Sequence, residues 1–359
     1  MPVPGGKVRF AVVGAGAFAR CAVLPGFAHA PTAALAAVVC GDPVDGYGIG
    51  ARYGVPVCGY ERYDELVAGG TVEAVYLALP PSMREGFAVR AARRGVHVIC
   101  ESPMAATPAG GRAMVAAAAA GGVRLVVAAR LAADPALRAA AEYLREGAVG
   151  EPRVFDAVFT RCVPDGDTRR AAALAGGPLA DTGLACVRAA RVLFGADPID
   201  VTAIPAEGGD DGDDAPEMVS ATMRFAGGRL AAFTCGFAAT GAAECRVVGT
   251  TGDLLLNPAD GFESERVLHL TTGGRTTVVR YGRRHHVGAE IEAFATGVRR
   301  GRGFDPDGAD GLTDLLVLDA IRRSARTGRP ARVGADPSRR ELTDRSPRAF
   351  PRNSFLDQR

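Results

Sequence analysis

Two glycines and a small residue near the start of the chain, Gly14-x-Gly16-x-x-Ala19, have the spacing that receives a dinucleotide. The first glycine permits a tight turn, the second lets backbone approach a pyrophosphate, and the small third residue lets a helix pack closely on a strand. Ala17 and Phe18 complete the turn, and the N–H groups at the helix start would face the phosphates. The tip of the second strand distinguishes NAD from NADP, because a carboxylate there binds the ribose hydroxyls and repels a 2′-phosphate. That tip reads Cys40-Gly41, with Asp42 following at a turn. NADP is therefore favoured over NAD, and Arg20 or Arg52 is available to pair with the extra phosphate. Proton chemistry is constrained by composition: Lys7 is the only lysine among 42 Lys and Arg residues. Arginine stays protonated at any working pH, whereas burial can tune a lysine to give and take a proton.

These residues need strands and helices to hold them. Residues 7–13 read as a short buried strand running straight into the glycines. Further apolar runs at 33–40, 72–79, 96–100 and 123–128 alternate with helical stretches at 61–69, 83–94 and 108–121. Gly41-Asp42-Pro43 and Pro80-Pro81 act as stops. Such alternation predicts an α/β fold with a parallel, doubly wound sheet over residues 1–128. Beyond that the pattern changes. Residues 154–162, 218–225, 229–237, 246–249, 254–256, 267–271 and 276–281 read as strands, several joined by glycine turns, and helices follow at 288–300 and 310–327. Residues 129–334 thus form a second unit with an antiparallel sheet, and 335–359 a polar tail.

A length of 359 residues calls for two domains. With 48% hydrophobic and 23% charged residues the chain is globular, and a net charge of +2 argues against nucleic-acid binding. The longest uncharged stretch, 21–41, is broken by Pro25, Gly26 and Pro31, so no membrane span is expected. Lys7 and Arg9 flank a run too short for a secretory leader. The eight cysteines include no CxxC pair, and a reduced, cytoplasmic protein is the expectation. The acidic stretch 207–217 has no fixed ligand spacing, and His285-His286 has no ligand-spaced partner, so no metal site is expected. His97 reads as a structural histidine.

Several ordered motifs resemble the Gfo/Idh/MocA oxidoreductase family, with the glucose–fructose oxidoreductase branch most similar. They are Gly14-Ala-Gly-Ala-Phe-Ala, Val75-Tyr-Leu-Ala-Leu-Pro-Pro-Ser, Val96-His-Val-Ile-Cys-Glu-Ser-Pro-Met-Ala, Gly176-Gly-Pro-Leu-Ala-Asp-Thr-Gly and Val247-Val-Gly-Thr-Thr-Gly-Asp. The resemblance implies an N-terminal Rossmann domain, a C-terminal α/β domain with a large, mostly antiparallel sheet, and a small-molecule substrate between them. It implies a homodimer or homotetramer formed through the open sheet face. It also implies cofactor contacts at Gly14, Gly16, Ala17, Phe18, Cys40, Gly41, Leu79, Pro80, Ser82, Glu101 and Arg130.

The resemblance breaks at the proton-handling positions. The family's usual Glu-Lys-Pro reads Glu101-Ser102-Pro103, and its Asp-x-Gly-x-His or Tyr reads Asp181-Thr182-Gly183-Leu184-Ala185. Arg188 stands where a second acid or amide is common, and Pro81 and Arg84 replace the frequent Asn and His after the third predicted strand of the alternating half. Losing a positioned acid–base group costs on the order of 10²–10⁴ in rate, about 3–5 kcal/mol of barrier. Asp181, Ser102 and Arg188 are the candidate catalytic residues, with Glu101, Tyr76 and Cys186 as further ionisable groups. Arg130, Arg161 and Arg170 could bind an anionic group. Asp181 could instead be a helix N-cap, Tyr76 and Cys186 core residues, and Arg188 with Arg191 a solvated face. An NAD(P)-dependent oxidoreductase of a sugar-like molecule with an atypical proton relay leads. A cofactor-binding non-redox enzyme (cyclisation, elimination or hydrolysis) and an inactive regulatory homologue are the alternatives.

Overall fold

The computed structural model describes residues 6–128, 134–171, 174–206, 216–259, 265–283, 285–301 and 308–334. Its first sheet has six parallel strands: β1 (Val8–Val13), β2 (Ala33–Cys40), β3 (Val57–Gly59), β4 (Ala74–Leu77), β5 (His97–Cys100) and β6 (Leu125–Val127), in the order β3-β2-β1-β4-β5-β6. These strands are almost continuously apolar because both faces are covered. Ala11, Val13, Val75, Leu77, Val98 and Val127 enter one core, while Phe10, Val12, Tyr76, Ile99 and Val126 enter the other. Strand order reverses between β1 and β4, and the crevice beyond the strand ends at such a point is where α/β sheets bind ligands.

Helices α2 (Pro43–Tyr53), α3 (Tyr63–Ala68), α4 (Pro81–Arg93) and α5 (Pro108–Gly121) connect the strands. The connection after β1 is not one regular helix. It runs as a π-helical turn (Ala19–Val23), a single α turn α1 (Leu24–Gly26) and a 3₁₀ turn (Phe27–His29). Pro25 supplies no N–H within it, which weakens a continuous ladder.

The second sheet has nine strands: β7 (Pro152–Cys162), β8 (Asp200–Pro205), β9 (Met218–Arg224), β10 (Leu230–Gly236), β11 (Ala238–Gly249), β12 (Gly252–Leu256), β13 (Arg266–Thr272), β14 (Arg275–Tyr281) and β15 (Ala331–Arg332). Every pairing is antiparallel except β7 with β10. One face packs on α6 (Pro135–Arg145), α7 (Leu184–Phe194) and α9 (Gly308–Thr327). The other face leaves Val154, Val158, Ile204, Leu230 and Val248 exposed. The acidic stretch over 207–215 and the tail from 335 lie outside the described residues.

Helices from beyond residue 128 also pack on the first sheet. Helix α8 (His286–Arg300) sets Val287, Ile291, Phe294 and Ala295 against the first sheet, filling the face left by the short β1–β2 connection. Helix α9 puts Leu312, Leu315 and Leu316 into the first core and Val317, Leu318, Ala320 and Ile321 into the second. Among the described residues, no helix is long and apolar enough to cross a membrane.

Candidate active site at the crevice of the first sheet

Gly14 has φ +98°, and a Cβ there would come within 2.4 Å of the Ala78 carbonyl oxygen at the end of β4. Its N–H donates to Val39 O at 2.7 Å, fixing the turn to β2. Gly16 is the opposite case: it is exposed, and a Cβ would meet nothing within 4 Å. The protein therefore makes a tight turn with its outer side open to a ligand. Ala17 is exposed, Phe18 half-buried, and Ala19 is buried against the strand. Arg20 folds back so that its Nε donates to Ala15 O at 2.7 Å, standing at the glycine turn.

At the β2 tip Cys40 is buried and Gly41 exposed. The Asp42 carboxylate accepts the Val44 N–H at 2.8 Å and caps α2, so the expected stop is a helix start. Arg52 is not available at this tip. It lies in the last turn of α2, over the Tyr53 ring, about 14 Å of helix away.

The end of β5 carries Glu101, which is buried. Tyr76, fully buried on β4, donates its Oη–H to Glu101 Oε1 at 2.5 Å. Tyr76 is a core residue as expected, and a partner of the carboxylate as well. Arg84 on α4 is also buried: Nε donates to Leu79 O at 2.7 Å, and Nη1 donates to Glu101 O at 2.8 Å and to Pro103 O. Burial lowers the Arg84 pKa, opposed by Cys100, Glu101 and Tyr76. Ser102 is half-buried between the two gripped carbonyls. Pro80 precedes the first turn of α4, in which Ser82 is exposed. Burial pushes the Cys100 thiol up to about 12, which removes it as a base. Lys7 is exposed before β1, some 20 Å of strand from the crevice.

Asp181 is not an N-cap. It lies inside a π-helical turn (Leu179–Gly183) leading into α7, with no side-chain cap at either start. Such turns recur at functional sites. Its Oδ2 is shut off from solvent and has no hydrogen-bond partner among the described residues, and Arg161 Nη1 stands 3.5 Å away. Gly176-Gly177 has a physical reason. A Cβ on Gly176 would come within 2.3 Å of Arg169 O, while Gly177 has φ +99° and donates its N–H to the same oxygen at 2.6 Å. The loop before Asp181 closes only with glycine at these positions. Arg169 is held above its ordinary range by its hydrogen bonds to Asp167, with the Asp181 charge adding to this.

Arg188 departs from both expectations for it. It is buried rather than solvated, and its Nε donates to Asp314 Oδ2 at 2.6 Å and its Nη1 to Ala128 O, just beyond β6, at 3.0 Å. The other Asp314 oxygen accepts from Arg191. Arg188 therefore ties α7, α9 and the β6 tip together and is not presented to a substrate. Arg170 is engaged by Glu217 and Val163 O. Cys186 is buried in the second core, His97 Nδ1 accepts the Arg124 N–H at 3.0 Å, and His285 caps α8. Arg130 lies outside the described residues.

The sequence model described as the oxidoreductase family with NAD-binding Rossmann fold, GFO/IDH/MocA, matches residues 8–129, and the model of the family's C-terminal domain matches residues 137–255. The chain belongs to the Gfo/Idh/MocA oxidoreductase family. Its relatives within this family include D-xylose 1-dehydrogenase (NADP(+)) 2 of Haloferax volcanii, 29% identical over 325 residues, covering 89% of this chain and 98% of the relative. The aldose–aldose oxidoreductase of Caulobacter crescentus, solved with glycerol, superposes with a TM-score of 0.85 at 29% identity, covering 91% of this chain and 99% of that one. A 3-ketoreductase from Actinomadura kijaniata, solved with NADP and TDP-benzene, superposes with a TM-score of 0.82 at 27% identity, covering 89% and 98%. In this Gfo/Idh/MocA chain, a Rossmann-type parallel sheet precedes a mostly antiparallel one, and Ser102 follows Glu101 at the end of β5.

Proposed function

We propose that the protein transfers a hydride between NADP and a carbinol carbon of a sugar or other polyhydroxylated small molecule, using a proton relay without lysine. The observation that carries this reading is the glycine turn, closed on its inner side by Ala78 and open at Gly16, at the point where strand order reverses. These residues fit a dinucleotide, and Ala17, Phe18, Cys40, Gly41, Leu79, Pro80, Ser82 and Glu101 line its proposed path. When bound, it supplies the hydride acceptor or donor at its nicotinamide. Asp181 takes the substrate's hydroxyl proton as the carbonyl forms and returns it in the reductive direction. Ser102 donates a hydrogen bond to the substrate oxygen, and Arg161 orients the Asp181 carboxylate. NADP is preferred because the β2 tip lacks a carboxylate free for the ribose, Asp42 being engaged as a cap. The names of the xylose dehydrogenase and the ligand of the 3-ketoreductase agree with that preference.

We place the protein in the cytoplasm, on its eight free thiols. We place a second copy on the open face of the second sheet, where Val154 pairs with Leu230 and Val248 and all three are exposed. Titration of NADPH fluorescence tests the cofactor reading. Saturable binding is expected, weaker for NADH and lost in Gly16→Asp, which sets a carboxylate in open space where the phosphates would lie. Failure of both nucleotides to bind at millimolar concentration would overturn it. Reduction of NADP over a panel of aldoses and cyclitols then tests the substrate class.

A further inference from the structure

Arg84 and Arg188 are buried guanidinium groups at the strand tips of the first sheet, and neither takes part in the proton chemistry proposed above. Arg84 sits on the first turns of α4, yet its side chain turns inward onto backbone carbonyls: Leu79 O after β4, and Glu101 O and Pro103 O after β5. One nitrogen, Nη1, holds both carbonyls that flank Ser102. A lysine ammonium could reach both carbonyls but has no second nitrogen for Leu79 O, which arginine holds through Nε while Nη1 grips the carbonyls. Nor is the arrangement a by-product of surface packing, since Arg84 is 6% exposed and a buried cation needs such acceptors to be tolerated at all.

We propose that Arg84 is a positioning residue that fixes the backbone on either side of Ser102, and thereby holds the position-102 side chain at the substrate oxygen. This rests on the functional reading given above for what Ser102 does, but not for where Ser102 is held. The two turns that Arg84 joins are separate in sequence and leave neighbouring strands, β4 and β5, whose own ladder ends at Leu77 and Cys100. Past that point, the Glu101 N–H donates to Leu77 O at 3.1 Å, and Arg84 joins the turns by donating to Leu79 O and Glu101 O. Tyr76 performs the matching task for the neighbouring side chain by holding the Glu101 carboxylate from below. Glu101 is thus held through its side chain by Tyr76, while Arg84 holds the peptide carbonyls on both sides of Ser102.

A reporter thiol separates this from a general role in folding. In a Ser102→Cys background, alkylation by iodoacetamide is followed residue by residue with peptide mass analysis. Adding Arg84→Met should make the thiol at 102 react about tenfold faster through local opening, while the buried Cys186, Cys235 and Cys245 keep their protection. A change at 102 of less than about twofold would overturn the proposal. Should Arg84→Met also expose the three buried thiols, Arg84→Lys, which keeps the charge but loses the Nε that anchors the side chain on Leu79 O, is used instead, with the same expected and contrary results. Neither cofactor nor substrate is needed, so this outcome is independent of whether NADPH binds. Turnover gives the functional readout. Arg84→Met and Ser102→Ala should each lower kcat, and together lower it no further than the worse single variant, because both act through one side chain. Fully additive losses would assign Arg84 a structural role alone.

Discussion

In the relay proposed above, Asp181 and Ser102 divide the work that a lysine and a histidine or tyrosine would share. Asp181 can accept a proton and Ser102 can donate a hydrogen bond, so the pair is chemically complete but weaker. Asp181→Asn is expected to lower kcat on the order of 10²–10⁴. Its melting temperature should barely move, because the side chain caps nothing and its ion pair with the partly exposed Arg161 is worth at most about 1 kcal/mol. Steady-state kinetics and a thermal melt on the same preparation check both parts. At this scale the sequence was legible where chemistry depends on neighbours in the chain, as in Gly14-x-Gly16 and Glu101-Ser102-Pro103. It was not legible where a partner is remote. Arg188 and Arg191 share a helix face as their spacing indicates, but that face is buried because Asp314 meets both from a helix more than 100 residues away. Tyr76 shows the same limit, since nothing in an apolar strand reveals that its hydroxyl ends on Glu101.

Among the elements, Asp-Pro pairs read in sequence as turns, yet Asp42-Pro43 and Asp134-Pro135 are each a capping carboxylate followed by a proline at the start of a helix. Asp134 does more than cap α6 through the Ala136 N–H at 2.8 Å. It also meets Arg266 at 3.0 Å and lies 3.8 Å from His286, which brings α6, β13 and α8 to one buried carboxylate. Asp134→Ala is therefore expected to destabilise the fold by about 3–5 kcal/mol, read as a lower denaturation midpoint in urea. The loop ahead of Asp181 offers a functional counterpart. Gly176→Ala forces a Cβ to within 2.3 Å of Arg169 O, so the loop must shift and carry Asp181 with it. A misplacement of this kind should reduce kcat by about 10²-fold while NADPH affinity, set on the other sheet, stays unchanged. The short strands β3 and β15 were invisible to periodicity because three and two residues carry too little pattern.

For the whole molecule, the two-sheet architecture followed from the change of pattern near residue 130, but the way the sheets are joined did not. Helices α8 and α9 are amphipathic or apolar in sequence without indicating which sheet they serve, and it is the uncovered face beside the short β1–β2 connection that draws α8 back to the first sheet. On the open face of the second sheet, Val154, Leu230 and Val248 are exposed and in register across β7, β10 and β11. Val158→Glu places a charge at the middle of that face. It is expected to yield a monomer in sedimentation velocity where the wild type sediments as a dimer or tetramer; an unchanged oligomer would move the interface elsewhere. The central claim is that a redox site has kept its geometry while losing its lysine. The most direct test is the rate of NADP reduction at 340 nm by the wild type and Ser102→Lys over aldoses and cyclitols. We expect slow, saturable reduction by the wild type and a rate raised about 10²-fold by the lysine; no reduction by either protein with the nucleotide at millimolar concentration would contradict it.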